Sequence, residues 1–119
     1  MNLKINVLGT EYEIKYKLMS EDETLEENRW GGYCERLNNE IVILSSEDPY
    51  YTGLSKEEKH AVRNETLRHE ILHAFLNESG LSDNANQFEG AWCKNEEMID
   101  WFAIQFPKIL KIFKEVDCV

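Results

Sequence analysis

The chain is short of cations: its 119 residues hold 13 Lys and Arg against 23 Asp and Glu, a formal charge of −10. Phosphate contacts need Lys and Arg, so direct nucleic-acid binding is not expected. No polybasic tract marks a membrane-surface anchor. Long apolar runs are also missing, the longest aliphatic stretch being Ile41-Val42-Ile43-Leu44, far below a membrane span. The first fifteen residues turn polar within ten positions and lack the apolar core of a signal peptide. Cysteine is limited to Cys34, Cys93 and Cys118, an odd number without CxxC spacing. That argues against a disulfide framework and a thiolate zinc knuckle, and predicts reduced thiols in a cytoplasmic protein. Gly31-Gly32 has no GxGxxG or P-loop context for phosphate. The acidic run from Glu21 to Glu27 lacks the spaced oxygen ligands and turn glycine of a calcium loop. The length suits one domain with one core, residues 1–119, with no internal repeat or linker.

What is present divides into a strand-rich first half and a helix-rich second half. Leu3, Ile5 and Val7 alternate with polar residues, as do Tyr12, Ile14, Tyr16 and Leu18. A period of two on either side of Gly9-Thr10 predicts a β-hairpin. Residues 20–28 read as a charged polar connection. A second hairpin is expected from Tyr33 to Leu37 and Ile41 to Leu44, turning near Asn38-Asn39. Ser55-Lys56-Glu57-Glu58 has the capping-box pattern that opens a long helix, and Ser79-Gly80 marks its end. Residues 81–93 read as a loop or short turn. A second helical stretch runs from about Lys94 to Val116, with Pro107 predicting either two helices or a kinked continuation.

The chemistry lies in Arg68-His69-Glu70-Ile71-Leu72-His73, which contains the motif HExxH. Two histidines four apart on a helix lie one turn apart on one side, so their imidazoles can converge on one metal ion. Glu70 is offset by about 100° from His69 and can reach a water on that metal rather than the metal itself. Zn2+ would acidify the water and polarise a carbonyl, while Glu70 accepts the proton and passes it to the leaving amine. With 3 His in the chain, shuffled order would produce HExxH in about 1% of sequences, so the helical context matters.

A catalytic zinc site needs a third protein ligand. No histidine follows His73, and His60 falls near the opposite side of the helix, which predicts a surface role for it. A carboxylate is therefore expected, from Glu78, Asp83, Glu89, Glu96, Glu97, Asp100, Glu115 or Asp117. Glu96 is preferred, with Glu97 the alternative. Glu96 and Asp100 lie four apart on one side of the second helix, while Met98, Ile99, Phe102, Phe106, Ile109 and Phe113 mostly share another. Asp100 would then accept a histidine N–H and fix its tautomer. Acids in a first helical turn are also favoured by the helix dipole alone. Trp30, Trp92 and Trp101 are expected to pack in the core or at a rim.

HEILH followed by Asn95-Glu96-Glu97-Met98-Ile99-Asp100 resembles the gluzincin pattern, in which a second helix carries NExxxD. The layout is also similar to the small ImmA/IrrE-type metallopeptidases of phages and integrative elements and to the minigluzincins. The similarity includes Phe102-Ala103 and the stretch from Gly32 to Ile41, and spans residues 30–107. It implies an α+β, zincin-like fold: a small, mostly antiparallel sheet, then the HExxH helix, then a glutamate-bearing C-terminal helix. It further implies zinc ligands His69, His73 and Glu96, general base Glu70, and Asp100 behind a histidine. An edge strand within Asn39–Ser45 would hold an extended peptide, and the substrate could be a repressor protein. Larger gluzincins place a Tyr or His after the glutamate helix to stabilise the oxyanion. Here none follows His73, so the donor either comes from Tyr33, Tyr50, Tyr51 or Arg29 or is absent.

The expected function is hydrolysis of peptide bonds in a protein substrate. The competing expectation is a non-catalytic zinc-binding module that regulates a partner by protein–protein contact.

Overall fold

The computed structural model describes residues 3–79, 92–115 and 117–119. The expected hairpins form: β1 (Leu3–Val7) pairs antiparallel with β2 (Thr10–Lys17), and β3 (Gly32–Glu35) with β4 (Glu40–Leu44). The first turn is Leu8-Gly9 rather than Gly9-Thr10, with both residues at positive φ (52° and 97°). That is the twist a two-residue hairpin loop needs, and Asn6 Oδ1 accepts from the Gly9 amide at 2.8 Å.

Residues 20–28 are not a plain connection. They contain a 3-10 turn and a short helix, α1 (Glu23–Asn28), because Asp22 caps its first turn by accepting from Leu25 N at 3.0 Å. The Asp22 carboxylate, nearly buried, also accepts from Tyr33 Oη at 2.8 Å and Lys17 Nζ at 3.4 Å.

The sheet is mixed, in the order β1-β2-β4-β3, with β2 and β4 parallel. The fold is therefore α+β, but β4 is an interior strand, not the edge expected within Asn39–Ser45. The sequence carried the reason. Ile41 and Ile43 pack toward the helix α2 (Lys56–Glu78), while Val42 and Leu44 pack with Met19, Leu25 and Tyr51 on the opposite face. A strand covered on both faces reads as a continuous apolar run. The edges are β1 and β3.

Helix α2 opens on the predicted capping box: Glu58 N donates to Ser55 Oγ at 3.1 Å, and Ser55 N to Glu58 Oε1 at 3.0 Å. Near its end, Glu78 accepts from Thr10 Oγ1 and Tyr12 Oη, each at 2.9 Å, which ties the helix to β2. Gly32 lets β3 pack closely against both β4 and α2. A Cβ there would meet Val42 O at 2.8 Å and Thr66 Cγ2 at 3.1 Å. Gly80 and most of the expected 81–93 loop lie outside the described residues.

Asn95 caps α3 (Glu96–Glu115), accepting from Met98 N at 3.0 Å, and Ile99 and Ala103 of α3 are buried. The helix continues through Pro107, so of the two expectations the separate helices are not found. No described helix is long and apolar enough to cross a membrane.

Candidate metal centre

His69 and His73 stand on successive turns of α2, where its sheet-packed side meets α3. Their Nε2 atoms lie 3.2 Å apart. Glu96, the first residue of α3, spans the pair: Oε2 is 3.0 Å from His69 Nε2, and Oε1 is 3.0 Å from His73 Nε2. Ligand atoms 2.0–2.1 Å from a tetrahedral centre are separated by about 3.3–3.4 Å. The edges observed here are slightly tighter and of the right size. A donor set of two imidazoles and a carboxylate fits a divalent transition metal, zinc and non-haem iron among them.

Each imidazole is held from behind. His69 Nδ1 lies 2.7 Å from Asp100 Oδ1, and the His73 ring is hydrogen-bonded to the backbone of Cys93. Such partners fix the ring orientation and leave the other nitrogen toward the centre. Burial lowers the pKa of His73, with His69 adding to the effect and Glu96 opposing it. The neutral imidazole that results is the form that binds a metal.

Glu70 is 5% exposed. Burial pushes its carboxyl up to about 7, against the opposing pull of His69 and with Glu96 and Asp100 adding to the rise. The donor atoms of His69, Glu70 and His73 all lie within 4.8 Å of one another, a group that could hold a metal ion. Glu70 is thus close to the pair without facing both histidines at 3.0 Å as Glu96 does.

The structure brings together His69, Glu70, His73, Glu96 and Asp100 around one pocket. Glu97 lies elsewhere, in a recess with Asn95, Met98 and Trp101. Glu78 is committed to Thr10 and Tyr12, and Asp83 and Glu89 lie outside the described residues. His60 is exposed beside Arg63, as expected. Tyr33 lines the pocket, but its hydroxyl donates to Asp22; Tyr50, Tyr51 and Arg29 are not among the lining residues.

Other lining residues went unnoticed in the sequence: Glu65, Thr66 and Asn77 on α2, and Lys94 just before α3. Helical spacing was the available signal for the first three, since they flank the histidines at intervals of three or four. Trp30 also lines the pocket and is 48% exposed, so it is a rim residue, and Trp101 at 53% exposed is not core. Compared with family models, curated proteins and solved structures, the chain matches none.

Proposed function

We propose that the protein is a small zinc-dependent metallopeptidase of zincin-like, ImmA/IrrE type, with His69, His73 and Glu96 as metal ligands and Glu70 as general base. The observation that carries this reading is the single Glu96 carboxylate lying 3.0 Å from the Nε2 atoms of both HExxH histidines. Bound by these three residues, Zn2+ would supply Lewis acidity for a water and a scissile carbonyl.

The protein's own groups supply the remainder. Asp100 and the Cys93 backbone hold the imidazoles, so both Nε2 atoms stay available. Glu70, buried beside the histidines, takes the proton of the attacking water and delivers it to the leaving amine. An extended segment of a protein substrate pairs with the outer edge of β3, whose inner edge is taken by β4. Residues 30–34 border the pocket and place that edge beside the histidines. Among the described residues Lys94 is the one lysine lining the pocket, and we assign to it the oxyanion contact for which the sequence offers no Tyr or His after His73. By the family resemblance, the substrate is a repressor.

The engagement of Tyr33 with Asp22 favours a second reading, a zinc-binding module that acts by protein contact without cleavage. Metal analysis and a cleavage assay separate the two. Wild type and Glu97→Ala should bind one Zn2+ and cleave. Glu96→Ala should lose the metal, and Glu70→Gln should keep it without cleaving. Stoichiometric zinc without hydrolysis of any accessible protein partner would favour the regulatory module. Wild-type protein that takes up no zinc would sink both.

A further inference from the structure

Pro107 has no amide hydrogen, so the carbonyl four residues earlier in α3, that of Ala103, receives no intrahelical bond from it. Ala103 is 1% exposed, and leaving its carbonyl unpaired there would be costly. Arg68 of α2 fills the vacancy, its Nε donating to Ala103 O at 2.7 Å. The guanidinium stays charged at any working pH, which makes this a charge-assisted bond.

The location matters more than the bond itself. Arg68 directly precedes His69, and Ala103 follows Asp100 by less than one turn. The bond therefore joins α2 to α3 beside the place where His69 meets Asp100 at 2.7 Å and Glu96 at 3.0 Å. Among the described residues, the buried side chains of α3 are Ile99 and Ala103, both apolar, and such packing is not directional. Metal sites tolerate displacements of only about 0.2 Å, so sliding of one helix along the other would carry Glu96 out of range.

We propose that Arg68 is a positioning residue of the metal centre, its bond to the proline-freed Ala103 carbonyl fixing the register of α3 so that Glu96 and Asp100 face the histidines. The inference rests on the reading of this site as a metal centre. It also gives Pro107 a role: the proline keeps the Ala103 carbonyl open for Arg68 instead of closing it within α3.

The test compares wild type, Arg68→Met, Pro107→Ala and the double variant, in urea unfolding with chelator present and in zinc affinity by chelator competition. Pro107→Ala restores an amide donor to the Ala103 carbonyl. Arg68→Met alone should lower the unfolding midpoint and weaken zinc binding about tenfold or more. In the double variant the midpoint should recover while zinc binding stays weak, because the carbonyl is satisfied but the tie between helices is gone. Should Arg68→Met fail to fold, the double variant carries the affinity measurement. Zinc affinity within twofold of wild type in the double variant would overturn the inference and leave the metal centre standing. Wild type that binds no zinc would overturn both.

Discussion

Asp100 Oδ1 lies 2.7 Å from His69 Nδ1, and Glu96, one turn earlier on the same helix, faces the other nitrogen of that ring at 3.0 Å. The imidazole is thus gripped at both nitrogens by α3. Asp100 is 58% exposed at its side chain, so solvent screens its charge and its value lies in orientation.

Asp100→Ala should therefore weaken zinc binding about 10–100-fold while leaving the fold intact. Asp100→Asn, which keeps an acceptor oxygen, should lose less. Isothermal titration of the chelated proteins checks the order; equal affinities in all three would remove Asp100 from the site.

Glu70 makes stability depend on pH in the metal-free protein. Its folded-state pKa is raised from the ordinary 4.5 to about 7, chiefly by burial. The folded state then binds the proton more tightly than the unfolded state, so the contribution is complete below about 4.5 and lost as pH rises through about 7. Glu70→Gln carries no such charge. Relative to wild type it should gain about 3 kcal/mol between pH 4 and pH 8, read by urea unfolding with chelator. Parallel pH profiles for the two proteins would contradict this account of Glu70.

Asp22 has the opposite sign. Burial alone would raise its pKa, but bonds from Leu25 N, Tyr33 Oη and Lys17 outweigh burial and hold it below the usual carboxylate value. Its contribution is present above the unfolded value of about 3.9 and lost as pH falls through the lower folded value. Acid unfolding should therefore include an Asp22 component below pH 4 that Asp22→Asn lacks. Asp22→Ala should cost about 2 kcal/mol at neutral pH, through the lost cap and the stranded Tyr33 hydroxyl.

Gly32→Ala tests the close approach of β3 to both β4 and α2. The new methyl would press on Val42 O, a backbone atom at 2.8 Å that cannot turn aside. A loss of roughly 1–3 kcal/mol is expected, with weaker zinc binding if α2 is displaced. An unchanged melting temperature would show that the strand yields more easily than its contacts indicate.

Signals confined to a few neighbouring residues were the legible ones. The capping box at Ser55, the two alternating hairpins and the HExxH spacing each follow from local geometry, and the pairing of Glu96 with Asp100 follows from one helical turn. Of the features that escaped, the Leu8 turn and the Asp22 cap are local, whereas the Pro107 helix and the interior place of β4 depend on partners distant in sequence. Leu8 is a poor turn former, yet it takes φ 52° because the flanking strands pair in that register. Pro107 reads as a break until Arg68, far upstream, is seen to satisfy the carbonyl it frees. The interior place of β4 depends on its parallel pairing with β2, although its unbroken apolar run was a clue. Asp22 has the residue type of a cap, but the charged residues around it mask that signal.

The parallel pairing also bears on how the chain assembles. Each hairpin can close locally, but joining Ile14 to Ile41 must span all of α1 and β3. That union carries the loop-closure entropy, so it should be the slow step. Before it, Ile41, Val42, Ile43 and Leu44 have neither β2 on one flank nor the full cover of α2, and no charge interrupts them. The strand at the centre of the finished sheet is thus the segment most prone to aggregation while the chain is still folding.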